Sequence, residues 1–399
     1  MALTIKFHDI ALKNPIIAGS CDYSRDSVGF SKIAASGVSA VVLKSVTDVK
    51  PLQNPYITKI NCLDTAGMPW RKGENFGALY SRGGAMLSIE EWLREIDEIV
   101  AASEKHGVVP IGSICASEVQ AWEEYSAIMV SKGLRILELN LGNPHFRAVD
   151  RLKTAGETSY LDPVKQIIRS VTAAVPVPVM VKVSPQMGRM LDIVQAAEEC
   201  GASGVTLSHR FQGLIIDVGT GEPLSSSLFG YGGPWMAPIT VGHVFSVSES
   251  CHIPICASGG IFRVEDFLQA LMAGASLVQL TTAMMIEGTG VVAKMLAGLE
   301  RHLEENRMAD VGELIGFAQG KAGLYDRVDG AEVPKVMDTS RCPHCPDKPC
   351  LASCFYQAIS VNEKGIPEID DNCIGCELCL QMCPFPGVLS MSGRRYLQP

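Results

Sequence analysis

The chain has 399 residues, a formal net charge of −9 and 47% hydrophobic residues, so it is long enough for one large domain and a small one. The acidic balance argues against nucleic acid as the main partner, and charge or glycine interrupts every apolar run before it reaches membrane-spanning length. Because the first residues lack a basic segment followed by an apolar one, we expect no signal peptide and a cytoplasmic location.

Short β-branched apolar runs alternate with amphipathic, helix-like segments up to about residue 305. The predicted strands are 15–20, 40–46, 108–115, 136–142, 178–184, 204–209, 254–260 and 277–283. Eight strands alternating with helices predict an α/β fold, the (β/α)8 or TIM barrel, whose chemistry gathers at the carboxyl ends of the strands. A doubly wound open sheet is the alternative, which the count of eight and the absence of an early Gly-x-Gly-x-x-Gly motif disfavour.

Polar and small residues follow the predicted strands. Lys44 and Lys182 each place a charge inside an apolar run, and a buried lysine needs a partner such as an anionic or electron-rich cofactor. Loops after the last two strands of such barrels commonly hold a phosphate, although tight turns alone would also explain the glycines there. The residues at strand ends are Gly19, Ser20, Lys44, Ser45, Asn140, Lys182, Ser208, His209, Arg210, Gly259, Gly260, Thr281 and Thr282.

Eight of the 14 cysteines lie between Cys342 and Cys383, which favours metal or cluster ligation in a reducing compartment over a disulfide scaffold. The first run has the spacing Cys-x2-Cys-x4-Cys-x3-Cys, and the second has Cys-x2-Cys-x2-Cys-x3-Cys-Pro, as in bacterial ferredoxins. Zinc is the alternative for isolated pairs. In two-cluster ferredoxins the fourth cysteine of each run crosses to the other [4Fe–4S] cluster. The predicted ligand sets are Cys342, Cys345, Cys350 and Cys383 for one cluster, and Cys373, Cys376, Cys379 and Cys354 for the other.

These patterns divide the chain into three parts. We expect a barrel over residues 1–310, a linker with one helix over 311–340, and a small α+β domain of the bacterial two-cluster ferredoxin type over 341–399.

Several motifs, taken in order, resemble the flavin-dependent dihydroorotate/dihydropyrimidine dehydrogenase superfamily. The resemblance is nearest to the bacterial dihydropyrimidine dehydrogenase subunit that joins a barrel to a carboxyl-terminal ferredoxin domain. It covers nearly the whole chain and implies FMN in the barrel. The motifs that carry it are NPIIAGS, VVLKS, ELNLGNPH, VMVKVSP, FGYGGPWMAPI, ASGGI, LVQLTTA and the two cysteine runs.

The resemblance also implies which residues surround the flavin. A lysine near the flavin ring stabilises the anionic reduced form, which is one way in which a protein tunes the cofactor. The residues implied around the ring and ribityl chain are Ala18, Gly19, Lys44, Ser45, Asn140 and Lys182. Those implied around the phosphate are Gly232, Gly233, Gly259, Gly260, Thr281 and Thr282.

Two positions depart from the family pattern. Asn143 stands where family members often carry a proton-transferring cysteine, and His209-Arg210 or Ser208-His209 replaces the Asn-Thr or Asn-Ser that follows strand six in pyrimidine-reading members. Because discrimination depends on such hydrogen-bonding groups, the pyrimidine substrate does not carry over directly.

The resulting hypothesis is an FMN- and iron–sulfur-dependent oxidoreductase that forms or reduces an activated C=C bond in a small molecule. Electrons would pass through the two clusters to or from a ferredoxin or an NAD(P)H-oxidising flavoprotein subunit, in a homo- or hetero-oligomer. A dihydropyrimidine dehydrogenase subunit is the alternative within the enzymes, and a non-catalytic electron-transfer subunit is the alternative of another class.

An amide has no acid–base step near neutral pH, so Asn143 is expected to hydrogen-bond a substrate carbonyl while another group moves the proton. The candidates are His209, His145 and Cys21, and His209 is preferred because histidine titrates near neutral pH.

Arg210 at the end of strand six would suit a substrate carboxylate, bound bidentately. The alternative is a surface arginine that pairs with Asp217 or Glu222 nearby.

Overall fold

The computed structural model describes residues 3–53, 60–81, 86–142, 161–223, 229–321, 333–385 and 387–391. The chain divides into two compact units, Met1–Ala322 and Gly323–Pro399. Within the described residues, no helix combines the length and the apolar character needed to cross a membrane.

The first unit is built around a closed barrel of eight parallel strands, β3, β4, β7, β8, β9, β10, β13 and β14, paired in chain order with β14 returning to β3. Each of the eight predicted strands is present, so the predicted TIM barrel is confirmed. In chain order the strands are β1 (Ile5–Phe7), β2 (Ile10–Leu12), β3 (Ile16–Ala18), β4 (Ala40–Val42), β5 (Ile60–Asp64), β6 (Phe76–Ser81), β7 (Val109–Ile114), β8 (Leu137–Asn140), β9 (Val179–Lys182), β10 (Gly204–Leu207), β11 (Phe211–Gly213), β12 (Phe229–Gly232), β13 (Ile255–Ser258) and β14 (Leu277–Leu280).

Helices connect the barrel strands, and α2 shows why they form where they do. Its Ser88 and Glu91 cap each other's backbone N–H groups at the start, and Gly107 with φ 58° ends it. Trp92 and Ile96 on one face are buried against the barrel. The helices are α1 (Ser27–Ala34), α2 (Ile89–His106), α3 (Val119–Ser131), α4 (Leu161–Ala174), α5 (Met190–Glu199), α6 (Ala237–Ser248), α7 (Val264–Met272), α8 (Thr282–Glu287) and α9 (Val291–Glu305).

The β1–β2 hairpin covers the amino end of the barrel. Its inward residue Phe7 is 1% exposed and lies beside Gly204, where β10 begins. A Cβ atom at Gly204 would lie 3.0 Å from the Phe7 ring and 3.1 Å from the Pro254 carbonyl oxygen, so the hairpin packs closely against the start of β10. The carboxyl end of the barrel is therefore the open one.

A four-stranded antiparallel sheet, ordered β11-β12-β6-β5, lies on the carboxyl side of the barrel. It combines the segment after β4 with the segment after β10, and the sequence patterns did not predict it. Phe76 of β6 contacts Phe262 of the loop after β13, with ring centroids 5.5 Å apart. The sheet thus forms one wall of the space above the barrel.

The described residues of the second unit form two short antiparallel strand pairs, two short α-helices and a 3-10 helix at Cys342–His344. Their buried apolar cluster is Cys350, Ile359, Cys379 and Leu389. The elements are β15 (Lys335–Val336) paired with β18 (Leu389–Ser390), β16 (Ile359–Val361) paired with β17 (Pro367–Ile369), α10 (Pro349–Ala352) and α11 (Leu378–Met382).

The segment predicted as a linker, 311–340, is shared between the two units. Val311 and Leu314 are buried in the barrel core, and the helix expected here is a short 3-10 helix at Val311–Glu313. Farther along, Lys335 and Val336 form a strand of the second unit. The division at residues 322 and 323 therefore falls inside the predicted linker.

Candidate active site

A cleft of about 1270 Å³, counting the space open to solvent, lies at the carboxyl ends of the barrel strands. The predicted site residues that line it are Cys21, Lys44, Ser45, Asn140, Lys182, His209, Arg210, Gly232, Gly233, Gly259, Gly260, Thr281 and Thr282. Ala18 and Gly19 line an adjoining cavity that shares Cys21 and Thr281 with the cleft. Asn143 and His145 lie outside the described residues.

Lys182 belongs to a buried polar network that fills the barrel beneath the cleft. Its Nζ donates to Gln279 Oε1 at 2.7 Å and lies 3.7 Å from Glu138 Oε1. The Gln279 side-chain amide and the Thr206 hydroxyl both donate to Glu138 Oε2. The lysine was expected to need a cofactor as its partner; the fully buried carboxylate of Glu138 supplies that partner within the protein.

Lys44 also has a partner within the protein. Its Nζ lies 2.6 Å from Asp22 Oδ1, on the segment after β3. The lysine side chain is 9% exposed, whereas the aspartate side chain is 43% exposed at the edge of the cleft. The two lysines therefore differ in the position of their carboxylate partners. The partner of Lys182 is buried inside the barrel, whereas the partner of Lys44 is half-exposed at the edge of the cleft.

Asn140 presents a buried acceptor to the cleft. Its Nδ2 donates to Ser45 Oγ at 3.2 Å, and Ser45 Oγ lies 2.8 Å from Ser113 Oγ. Its Oδ1 is buried and has no hydrogen-bond partner among the described residues. Because buried acceptors are nearly always satisfied, this oxygen marks a place for a donor on a bound molecule.

The glycines near the predicted phosphate site have local conformational roles. Gly259 and Gly260 have φ values of 102° and 82°, in the left-handed region that glycine adopts readily. A Cβ atom at Gly260 would lie 2.2 Å from the backbone nitrogen of Ala237, where α6 begins. The turn and the close helix packing therefore require these glycines, whatever the cleft binds.

The two helices after β13 and β14 start differently. At the start of α7, Asp266 accepts from the backbone N–H groups of Phe262 and Arg263, at 3.1 and 2.9 Å. At the start of α8, Thr281 and Thr282 line the cleft, and the Thr281 side chain makes no capping hydrogen bond. The start of α8 is thus the better place for an anion.

His209 lies at the end of β10, facing the cleft. Its backbone N–H donates to the Val183 carbonyl at 2.8 Å, and its Nδ1 is buried without a partner among the described residues. Burial, together with the charges of Arg210 and Lys182, holds the pKa of His209 well below 6.5. The expectation that this histidine titrates near neutral pH is therefore corrected: its ring is neutral at pH 7.

Cys21 lies after β3 and is partly exposed to the cleft. Burial raises the pKa of its thiol above 9.0, although a backbone hydrogen bond from Tyr23 and the charge of Lys44 act in the opposite direction. The side chain is therefore a protonated thiol near neutral pH and a weak proton donor.

Arg210 points into the cleft and does not form the surface pair considered above. Its Nη1 donates to Ser81 Oγ, and its guanidinium packs on the backbone of Gly230, where a Cβ atom would lie 2.1 Å from Arg210 Nε. That Nε is buried without a partner among the described residues. Asp217 instead caps the turn that follows it, and Glu222 is exposed.

Sequence patterns missed several residues of the site. Glu138 and Gln279 are polar residues inside apolar strands, and that signal could have identified them as it identified Lys182. No comparable signal marks Asp22, on the 3-10 turn after β3, or Ser81, at the end of β6. Ser208, already noted at a strand end, has its Oγ 3.0 Å from His243 Nδ1 on α6.

The second unit contains two cavities lined by cysteines. Cys379 illustrates their surroundings: burial and the neighbouring Cys373 and Cys376 raise the pKa of its thiol to about 11. In the described part of the chain, no three histidine, cysteine or acidic side chains converge closely enough to hold a single metal ion. One cavity is lined by Cys342, Cys345, Cys350 and Cys383, and the other by Cys354, Cys373, Cys376 and Cys379, the same two sets that the spacing predicted.

Comparison with known proteins identifies the family of the barrel. Residues 2–303 match the family described as dihydroorotate dehydrogenase. Similar proteins include the catalytic subunits of dihydroorotate dehydrogenase B (NAD(+)) from Bacillus pumilus, Methanothermobacter thermautotrophicus and Pyrococcus furiosus. Their identities to the chain are 31% over 291 residues, 29% over 318 and 28% over 329. These alignments cover 70%, 78% and 80% of this chain and 85%, 96% and 99% of the relatives. The chain therefore belongs to the dihydroorotate dehydrogenase family and is a flavin-dependent oxidoreductase acting on CH–CH groups.

Proposed function

We propose that this chain binds FMN in the barrel and two [4Fe–4S] clusters in the second unit, and that it oxidises a CH–CH bond in a small planar substrate bearing a carboxylate. The observation that carries the proposal is a pair of buried side-chain atoms, on two residues that line one cleft, without partners among the described residues. Asn140 Oδ1 is an acceptor that suits a flavin N–H, and Arg210 Nε is a charged donor that suits a carboxylate.

The residues present fit FMN. Lys44, Asn140 and Lys182 would hold the ring, and the start of α8 at Thr281 and Thr282 would hold the phosphate. When bound, FMN supplies hydride transfer between its N5 atom and a substrate carbon.

The two lysines would act differently on that cofactor. Lys182 is tied to Glu138 and Gln279, so its position and charge are fixed before anything binds. The partner of Lys44 is half exposed, so its charge is more strongly screened by water. Lys182 is therefore the lysine whose position beside the ring is the more closely fixed.

The neutral ring of His209 suits the oxidising direction. A neutral imidazole can accept a proton from a substrate carbon, whereas the protonated Cys21 thiol cannot. His209 is therefore the proposed base. The roles of Asn143 as a hydrogen-bonding residue and of His145 as an alternative proton carrier remain predictions, because both residues lie outside the described part of the chain.

Two substrate classes follow from two different observations. The relatives are named for dihydroorotate, a carboxylate, and the Nε of Arg210, which has no hydrogen-bond partner among the described residues, supports this class. The cysteine-rich tail, which lies beyond the matched residues 2–303, resembles that of a dihydropyrimidine dehydrogenase subunit and supports uncharged dihydropyrimidines as the second candidate. Dihydroorotate is proposed first, because its carboxylate would supply the acceptor that Arg210 Nε lacks among the described residues.

The cysteine sets support the second half of the proposal. Four thiol ligands around each cavity form the donor set of a [4Fe–4S] cluster, and their spacing around a cavity suits a cluster better than one zinc ion. Because the relatives are catalytic subunits, a separate electron-transfer subunit in a hetero-oligomer is the proposed partner, with a ferredoxin as the alternative.

Anaerobic mixing of the purified protein with dihydroorotate or dihydrouracil tests the substrate, with flavin absorbance as the readout. We expect dihydroorotate to bleach the flavin. Arg210→Ala should raise the half-saturating concentration about 10- to 100-fold, the scale of a charge-assisted hydrogen bond, and leave FMN content unchanged. Arg189→Ala, which removes an exposed arginine paired with Asp192, is the control. Bleaching by dihydrouracil alone, or an unaltered response of Arg210→Ala, would refute the carboxylate substrate.

A further inference from the structure

Lys348 and Glu377 occupy equivalent positions in the two cysteine runs. Each stands two residues before the third cysteine of its run. Each has a left-handed backbone, with φ 37° at Lys348 and 64° at Glu377, and each directly precedes a short helix, α10 or α11. Each also lines the cavity that the cysteines of its own set surround. The two cavities therefore carry opposite charges at matching places.

The ammonium of Lys348 is held in place by the backbone of its own run. Its Nζ donates to the Cys342 carbonyl at 2.8 Å and lies 3.4 Å from the Cys345 carbonyl. The segment that supplies it, between Cys345 and Cys350, is two residues longer than its counterpart in the second run. Lys348 therefore places a fixed cation beside the first cavity.

Other charges near the first cavity have both signs, since Asp338 and Lys348 act on Cys342 in opposite directions. The Arg341 guanidinium lies 5.7 Å from the ring of Phe385, which lines the first cavity. Near the second cavity, Asp370 accepts from the backbone N–H of Asn372 within the turn that leads to Cys373. Asp347, the acidic residue in the longer segment, is exposed and does not line the first cavity.

A nearby positive charge favours the reduced form of an iron–sulfur cluster, because reduction adds an electron, and a negative charge disfavours it. We propose that Lys348 and Glu377 set the order of the two reduction potentials, so that the site of Cys342, Cys345, Cys350 and Cys383 has the higher one. This inference rests on the proposed function, since it requires that both sites hold clusters. It assigns Lys348 and Glu377 as tuning residues and not as ligands.

A potentiometric titration of the anaerobically purified full chain, followed by electron paramagnetic resonance, tests the order. Lys348→Gln should lower the midpoint reduction potential of the cluster in the first cavity. The expected change in the reduction equilibrium is about tenfold, which is about 59 mV for a one-electron couple. Glu377→Gln should raise the other midpoint by a similar amount. Lys348→Arg, which keeps the charge, should leave both midpoints near their original values. Lys335→Gln removes an exposed lysine from the same unit and is the matched control.

The outcomes separate the two proposals. A chain with little iron and no cluster signal refutes the proposed clusters and this inference together. Two clusters whose midpoints do not respond to either glutamine variant, or respond as they do to Lys335→Gln, refute this inference alone. If Lys348→Gln loses a cluster, Glu377→Gln still tests the proposed order of the reduction potentials. A midpoint potential that is unshifted or lowered in Glu377→Gln overturns that order.

Discussion

The two units have very different cores. The barrel buries large side chains such as Trp92, Trp122 and Phe267 among dozens of aliphatic residues. Among the described residues of the second unit, the buried apolar cluster contains four residues, and two of them, Cys350 and Cys379, are proposed cluster ligands. A core of that size gives little stability by itself, so small domains of this kind commonly depend on a bound metal.

The difference between the two cores indicates which interactions hold each unit in its folded structure. In the barrel, apolar packing is complete without the cofactor, and the charged network of Glu138 and Lys182 rests on that scaffold. In the second unit, the ligands are part of the core, so binding and folding are expected to be one event. Variants that remove ligands, bases and buried charges should therefore affect the two units separately.

The largest expected effect is on the second unit. Cys342→Ser should lower the iron content from about eight atoms per chain to about four, since one of two four-iron clusters is lost. The second unit should then become sensitive to limited proteolysis, because part of its core is missing. Iron analysis and proteolysis measure both effects.

FMN content is the internal control of that experiment, because the barrel folds on its own core. If Cys342→Ser also lost its flavin, the two units would be interdependent and the comparison above would fail. Stoichiometric zinc in place of iron would contradict the clusters themselves.

The next effect is confined to the barrel. His209→Asn should slow substrate-linked flavin reduction by roughly 100-fold or more under anaerobic single-turnover conditions, the usual scale of general acid–base catalysis. Cluster content should not change. Cys21→Ser is the comparison variant, and if it abolished turnover while His209→Asn did not, the base would be wrongly assigned.

The pH dependence of flavin reduction in the unmodified protein also tests the assignment of His209 as the base. A base is active in its neutral form, and burial holds the pKa of His209 well below 6.5. The rate of flavin reduction should therefore be retained as the pH falls through 6.5, and should be lost only near the lowered pKa. A rate that already falls by half at pH 6.5 would mean that a histidine with an ordinary pKa moves the proton.

The smallest of these effects separates the two lysines of the cleft. Glu138→Gln keeps the shape of the side chain but removes the buried charge beside Lys182, and should lower the free energy of unfolding by about 2 kcal/mol. Asp22→Asn removes the charge of the half-exposed partner of Lys44, and should lower the free energy of unfolding by less than about 1 kcal/mol. Chemical denaturation followed by far-ultraviolet circular dichroism measures both, and equal costs would contradict the difference in burial.

The sequence predicted the features that depend on local patterns. The eight barrel strands are continuous apolar runs, and each was located by that pattern. The spacing also grouped the cysteines into the two sets that line the two cavities of the second unit, and their role as cluster ligands stays a prediction.

Features that depend on distant segments could not be predicted in the same way. The sheet over the cleft pairs β6 with β12, which are far apart in sequence, and β11 is only half-buried, so no alternation marks it. The lowered pKa of His209 has the same origin, because it depends on how deeply the fold buries one ring and on which charges it places nearby.

One measurement tests the central claim, that a single chain couples a CH–CH oxidation in the barrel to clusters in the second unit. The anaerobic protein, with no partner added, is titrated with dihydroorotate while flavin absorbance and cluster electron paramagnetic resonance are recorded on the same samples. The account predicts that the flavin bleaches and that signals of reduced clusters appear in the same chain. Flavin bleaching without any cluster signal, in a protein that retains about eight iron atoms, would contradict it.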